Sequence, residues 1–164
     1  MVNVMILYHG SNLKIETPKL IPSKRLLDFG SGFYLTSNFE QAAKWAKRTT
    51  LNRECGSSIV SAFDIDKKSM ENLNCLIFDS PNCAWLNFVS ANRRGSILNK
   101  TYDLIIGPVA NDQAIRTINN YLKGYLTEDM AIKLLLPQKL KDQYAFRTDR
   151  ALSMLNFREG ITVE

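Results

Sequence analysis

The chain has 164 residues, 45% hydrophobic and 23% charged, a composition typical of globular proteins, and we expect a single domain over residues 1–164. The net charge of +5 favours anionic partners, but the basic residues are dispersed, so nucleic acid is compatible with the charge without being indicated by it. No apolar run approaches the roughly 18 residues of a membrane span. The cysteines, Cys55, Cys75 and Cys83, show no metal-ligand spacing, so we expect a cytoplasmic protein in which they serve in packing.

In the first half of the chain, hydrophobic patterning predicts three strands and one helix. An apolar run predicts a buried strand over Val4–His9, and Phe33–Thr36 predicts a second, short strand. Ser37 and Glu40 have the spacing of a capping box, which predicts a helix from Ser37 to about residue 50. Alternating residues over 59–65 predict the third strand.

The second half mixes strands and helices without strict βαβ alternation. This order favours an α+β fold with mainly antiparallel sheet, and it leaves open whether some strands pair in parallel. The predicted strands cover residues 75–78, 102–106, 144–147 and 160–163, and the predicted helices begin at Ser80-Pro81, Asp112, Thr127 and Thr148.

The stretch DFGSGFYLT, residues 28–36, contains fragments of two nucleotide-binding motifs, and neither holds. A protein kinase needs a glycine-rich loop, a lysine strand and a catalytic loop before its DFG, and residue 28 leaves no room for them. A dinucleotide fingerprint needs a third glycine and a following helix, whereas Leu35 and a predicted strand stand there. His9 is the single histidine, so a two-histidine zinc site is excluded and no metal site is expected.

Two residues remain as candidates for chemistry. His9 ends a predicted buried strand, where a lone histidine is by default structural. Tyr34 lies within a predicted strand, where tyrosine usually serves in packing. Taken singly, neither residue favours a functional interpretation.

In this order, however, these residues belong to a set of segments that resembles the ADP-ribosyltransferase superfamily. The resemblance is to the branch whose signature is His, then Tyr, then Glu, Asp or Gln, and within it to a bacterial family of unknown function. The matching segments together span nearly the whole chain. They are Tyr8–Ser11, Asp28–Thr36, Gln41–Ala46, Tyr102–Asp112 and Asp142–Phe146.

The resemblance implies two small, mainly antiparallel sheets around an NAD cleft, with flanking helices. His9 would hydrogen-bond a ribose, Gly10 would let the backbone approach the nicotinamide amide, and Tyr34 would stack on the nicotinamide ring. Gln143 occupies the third signature position. The implied catalytic residues are His9, Tyr34 and Gln143, and the implied NAD-binding residues are His9, Gly10, Ser11, Asp28, Gly32 and Tyr34.

The resemblance also implies an activity: a mono-ADP-ribosyltransferase, a glycosyltransferase that moves ADP-ribose from NAD, its co-substrate, to a macromolecular acceptor. Relatives of this kind occur as toxins of toxin–antitoxin systems, which implies an antitoxin-like protein partner. Gln143 departs from the usual carboxylate, because an amide carries no charge and cannot act as a base. Two alternatives therefore stay open, a catalytically silent module that binds NAD or ADP-ribose, and an NAD glycohydrolase.

Other residues near the candidate site favour structural interpretations. Asp142 is expected to be a solvated turn residue, and Asp112 a helix N-cap. The basic pair Arg93 and Arg94 suits a helix C-terminus, with contact to a diphosphate as the alternative. Trp85 has the spacing of a helix core residue.

Overall fold

The computed structural model describes residues 3–22, 26–96 and 101–164, and over these ranges the fold is α+β with two small sheets. No helix in these ranges is long and apolar enough to cross a membrane. The strands are β1 (Val4–Ser11), β2 (Phe33–Leu35), β3 (Ile59–Asp66), β4 (Cys75–Ile77), β5 (Leu104–Pro108), β6 (Asp142–Phe146) and β7 (Asn156–Thr162). The helices are α1 (Phe39–Arg53), α2 (Lys67–Glu71), α3 (Cys83–Arg93), α4 (Asp112–Leu122), α5 (Glu128–Leu135) and α6 (Asp149–Leu152), with a 3₁₀ turn at Leu136–Gln138.

The first sheet has the order β1-β3-β7 and is antiparallel throughout. The second has the order β2-β6-β5-β4, in which β4 and β5 pair in parallel and the other pairs are antiparallel. The predicted α+β class with mainly antiparallel pairing is therefore confirmed. The β4–β5 pair answers the question of parallel pairing that the sequence left open.

A pair of backbone hydrogen bonds joins the two sheets. The Tyr8 amide donates to the Thr36 carbonyl at 2.8 Å, and the Thr36 amide donates to the Tyr8 carbonyl at 2.9 Å. Because Tyr8 precedes His9 in β1 and Thr36 follows directly after β2, this bridge brings His9 close to Tyr34. The bridge thus assembles the first two candidate residues from segments about 25 residues apart in the sequence.

Alternate residues of each strand face opposite sides of its sheet, so each sheet can pack on both of its faces. The sheets and helices therefore form four layers. Between the two sheets lies a core that includes Leu7, Phe63, Leu104 and Phe146. The other face of the second sheet packs on α3, α4 and α5 through residues such as Ile105. On the outer face of the first sheet, α1 buries its alanines against β1 and β3.

Asparagines, rather than the predicted residues, cap three of the helices. Asn38 accepts the Gln41 amide at 2.8 Å, so the capping box predicted at Ser37 is wrong. Asn82 accepts the Trp85 amide at 2.9 Å, and α3 begins after the predicted Ser80-Pro81 start. Helix α4 does begin at Asp112, but its cap is Asn111, which accepts from Ala114 at 2.8 Å. Asparagine caps a helix as well as serine or aspartate does, and at each of these three starts an asparagine lies within two residues of a serine or an aspartate.

The remaining differences concern element ends and exposure. The helix starts predicted at Thr127 and Thr148 are confirmed, and both threonines are N-caps. Strand β7 begins at Asn156, four residues earlier than predicted, and the five-residue α2 was not predicted. Two of the cysteines, Cys55 and Cys83, are exposed, so the expectation that the cysteines serve in packing is wrong for them.

Candidate functional site

A cavity of about 500 Å³ lies where β1, β2 and β6 meet the face of α1, within the range of small-molecule and cofactor sites. Six of the seven residues proposed for catalysis or NAD binding line it: His9, Gly10, Asp28, Gly32, Tyr34 and Gln143. The seventh, Ser11, is buried beside Asn12 and is not part of the cavity lining. The fold thus gathers residues from distant parts of the sequence into one cavity.

His9 is held in one orientation by two contacts. Its Nδ1 lies 2.7 Å from the Tyr34 carbonyl oxygen, and its ring stacks on Phe33 with centroids 4.1 Å apart. Since a carbonyl only accepts, Nδ1 must carry the proton, which leaves Nε2 as an acceptor in the neutral ring. Burial lowers the pKa of His9 to about 4, and the charge of Arg53 acts in the same direction. At neutral pH the ring is therefore uncharged.

Tyr34 contributes a ring whose hydroxyl is engaged elsewhere. The hydroxyl donates to the Gly30 carbonyl at 2.5 Å and accepts from the Phe29 amide at 3.1 Å. Burial raises the pKa of Tyr34 well above its usual range. The phenol therefore stays protonated and fixes the turn over residues 28–31, and its ring is the part that can contact a ligand.

The glycines at the site owe their identity to packing as much as to ligand access. A Cβ on Gly10 would lie 2.0 Å from the Ala42 carbonyl oxygen and 2.7 Å from the Ala46 amide, both in the backbone of α1. Close packing of β1 on α1 therefore explains this glycine without any ligand. Gly30 has φ of +80°, as expected for the turn before β2.

Asp28 is a buried carboxylate at the cavity, paired with an arginine. The Arg93 guanidinium donates to Asp28 Oδ1 from Nη2 at 2.6 Å and from Nε at 2.9 Å. Arg93 lies in the last turn of α3, as the helix C-terminus interpretation predicts, and it also has a partner within the site. Arg94, at the C-cap of α3, is exposed as that expectation requires.

Gln143 is 3% exposed and faces two acceptors. Its Nε2 lies 3.4 Å from Asp28 Oδ2 and 3.4 Å from the Pro108 carbonyl oxygen. That carbonyl also accepts from the Trp85 indole at 2.9 Å. Trp85 is fully buried, which confirms its predicted place in the helix core.

Asp142, next to Gln143, is partly buried at the start of β6 and makes structural hydrogen bonds. Its carboxylate accepts from Thr36 Oγ1 at 3.0 Å, from the Ser37 amide at 2.9 Å and from the Ser37 hydroxyl. These bonds tie the start of β6 to the junction of β2 and α1. The predicted solvated turn aspartate is therefore wrong, and Asp142 helps to position Gln143.

One face of α1 forms a cavity wall that the sequence analysis missed. The residues of this wall recur at helical spacing and are Trp45, Arg48, Thr49, Asn52 and Arg53. The sequence held a signal for it, because α1 becomes polar after its alanines, with Thr49 and Arg53 continuing the helical positions of Ala42 and Ala46. Arg53 is anchored through a hydrogen bond to Asn12 Oδ1 at 2.9 Å.

The charges at the cavity favour an anionic ligand. Of the described residues that line it, Arg48, Arg53 and Arg93 are basic, and Asp28 is acidic. Arg93 is neutralised by Asp28, and Arg48 makes an exposed ion pair of 3.5 Å with Asp112, which is worth little in solvent. Arginine donors of this kind bind phosphate oxygens with two parallel hydrogen bonds.

A comparison with protein families matches residues 5–157 to the family described as "Protein of unknown function (DUF3990)". No curated protein matches the chain. The matched region contains every residue of the cavity described above. Because the match covers nearly the whole sequence, the chain belongs to the DUF3990 family.

Proposed function

We propose that the protein is a mono-ADP-ribosyltransferase that moves ADP-ribose from NAD to a macromolecular acceptor. One observation carries the proposal: His9, Tyr34 and Gln143, the ordered set on which the resemblance to ADP-ribosyltransferases rests, line one cavity of about 500 Å³. The two-sheet architecture around that cavity agrees with the fold expected from the resemblance. Within the proposal, the fold is ADP-ribosyltransferase-like and the cavity is the NAD cleft.

The chemistry of the lining residues fits NAD in three respects. The arginines supply donors for its diphosphate, the neutral His9 offers Nε2 as an acceptor for a ribose hydroxyl, and the Tyr34 ring offers a surface for the nicotinamide. In transfer, the bond between ribose and nicotinamide breaks and its electron pair leaves with nicotinamide. The acceptor nucleophile then bonds to the ribose carbon and loses its proton.

The residues assist this reaction by position and by electrostatics. The sugar gains oxocarbenium character as the bond breaks, as in glycoside hydrolysis. Holding the ribose hydroxyls and the leaving ring in place lowers the barrier without any covalent step from the protein. The Tyr34 phenol and the His9 Nδ1 are both committed to backbone carbonyls, so neither acts as the general base.

A second candidate function, a silent module that binds NAD or ADP-ribose, is favoured by the amide at position 143. An amide stabilises a cationic sugar less than a carboxylate does, and it cannot take the proton of the acceptor. An NAD glycohydrolase would differ from the transferase only in using water as the acceptor. In each case we place the protein in the cytoplasm, and for the transferase we propose an antitoxin-like protein partner.

The test is incubation of the folded protein with NAD labelled in the adenylate part, with and without cell lysate. The transferase releases nicotinamide and leaves label on a macromolecule, and His9→Ala loses both. Tyr34→Phe keeps the ring and serves as the matched variant: it keeps label transfer while losing about 1–2 kcal/mol of stability, because the Phe29 amide and the Gly30 carbonyl lose their partner.

The other outcomes separate the alternatives. Free ADP-ribose as the main product indicates a glycohydrolase. NAD binding without nicotinamide release indicates a silent module. Neither binding nor release by the folded wild-type protein contradicts all three functions.

A further inference from the structure

The amide of Gln143 has a defined orientation because its neighbours are both acceptors. A carboxylate oxygen of Asp28 and the carbonyl oxygen of Pro108 each lie 3.4 Å from Nε2. Asp28 is ion-paired with Arg93 and a carbonyl only accepts, so Nε2, which carries two hydrogens, must face them and Oε1 must face away. No described residue donates a hydrogen bond to Oε1, although Gln143 is 3% exposed and lines the cavity. The amide thus keeps one acceptor for a ligand.

Asp28 is held where it can impose this orientation. Its Oδ1 receives both contacts from Arg93, at 2.6 and 2.9 Å, which leaves Oδ2 toward Gln143 and the Ala110 amide. The backbone carbonyl of Asp28 accepts from Asn92 Nδ2 at 3.0 Å. With 8% of the residue exposed, the carboxylate has little freedom to rotate away. Helix α3 therefore fixes Asp28 through both its main chain and its side chain.

We propose that Asp28 is a positioning residue that acts through Gln143. It holds Nε2 so that Oε1 is presented to the cavity as an acceptor for a sugar hydroxyl of the ligand. The carboxylate of this site thus belongs to residue 28, where it contacts the Gln143 amide, and not to residue 143. The ligand is the NAD of the proposed function, and the inference rests on that function for the identity of the sugar.

This arrangement differs from one in which a glutamine has simply replaced a glutamate, and the difference can be tested at position 143. Gln143→Glu would set carboxylate oxygens against Asp28 Oδ2 and against the Pro108 carbonyl, where Nε2 now donates. Two carboxylates sharing one site cannot both ionise at low cost. Restoring the usual carboxylate at position 143 therefore weakens NAD binding in this chain.

The first arm of the test needs no ligand. The side-chain amide signal of Gln143, assigned by its absence from Gln143→Leu, is followed by nuclear magnetic resonance in Asp28→Asn. We expect the Gln143 signal to shift, because the amide introduced at position 28 is uncharged and can present a donor to Nε2 where the carboxylate presents only an acceptor. Gln138, whose Nε2 donates to the Leu134 carbonyl at 3.0 Å, is the internal reference and stays in place.

The matched control is Asp64→Asn, which removes a carboxylate paired with Arg158 at 3.0 Å in the first sheet. It leaves the Gln143 signal where the wild-type protein has it. If the signal is the same in Asp28→Asn and in the wild type, the proposal is overturned whether or not the protein binds NAD. This arm therefore separates failure of the inference from failure of the proposed function.

The second arm measures the affinity for NAD by calorimetry in the same proteins. We expect Asp28→Asn and Gln143→Glu each to bind about tenfold more weakly than wild type, and Asp64→Asn to bind equally well. A Gln143→Glu protein that binds as tightly as wild type, or more tightly, overturns the proposal. If the wild-type protein does not bind NAD, the proposed function fails and the resonance arm alone decides the inference.

Discussion

His9 reaches the cavity as a neutral imidazole, and the reason lies in its immediate surroundings. Stacking on Phe33 and burial remove water from the ring, and the bond from Nδ1 to the Tyr34 carbonyl compensates for it only in part. Its default structural role and its proposed ligand role do not compete, since one nitrogen serves each. The sequence could indicate His9 as a candidate, but not which nitrogen bonds to the backbone and which is left for a ligand.

The charge state of His9 gives a prediction that needs no assignment, because it is the single histidine of the chain. With its pKa lowered to about 4 in the folded protein, the ring resonance should not titrate between pH 8 and pH 5.5. A titration midpoint near the ordinary value of 6.5, in protein free of histidine tags, would contradict the description of the site.

The same pKa makes stability depend on pH with a defined sign. Between about pH 4 and 6.5 the unfolded chain binds a proton at His9 that the folded protein does not, so the free energy of unfolding falls as the pH is lowered through this window. Over the whole window the contribution is on the order of 3 kcal/mol. Urea unfolding at pH 7 and pH 4.5 should show a larger loss for wild type than for His9→Gln.

At the scale of elements, the packing of β1 on α1 builds one side of the cavity. Gly10 and the alanines of α1 permit the close approach, and the approach then brings the polar face of α1 to the cavity. The sequence predicted the strand and the helix, but it suggested a ligand as the reason for the glycine. Contact between a strand and a helix separated by about 30 residues is not encoded in local patterning.

Gly10→Ala tests this packing. The new methyl group meets backbone atoms that cannot move independently of α1, so we expect a loss of about 3 kcal/mol in chemical unfolding. Gly124→Ala is the control, because Gly124 has φ of +80° but nothing within 4 Å of its Cβ position. Backbone strain alone should cost about 1 kcal/mol there. Equal losses in the two variants would refute the packing explanation.

The cap positions show what local patterning does and does not determine. Each of the three asparagine caps lies within two residues of the cap or helix start that was predicted. In each case the predicted residue has a side chain that can make the same capping bond. At Ser37 the choice is tertiary: the serine bonds to Asp142, which lies more than 100 residues away in the sequence. The helix itself was predictable, but its first residue was not.

At the scale of the whole molecule, the fold concentrates charge that is dispersed in the sequence. Arg48 and Arg53 come from α1 and Arg93 from α3, and the cavity brings them together. The sequence could give only the net charge of +5, with no stripe to indicate a binding surface. Six of the seven residues proposed from the resemblance nevertheless line one cavity. The three arginines come together only through the packing of α1 and α3 around the cavity, which the order of residues in the sequence does not encode.

The central claim is that this cavity binds NAD, and calorimetric titration of the wild-type protein with NAD tests it most directly. We predict saturable binding to one site, weakened at least tenfold in His9→Ala and unchanged in Arg158→Ala, whose arginine pairs with Asp64 away from the cavity. Folded wild-type protein that shows no saturable heat at NAD concentrations up to about 1 mM, where even a weak site would be occupied, would contradict the claim.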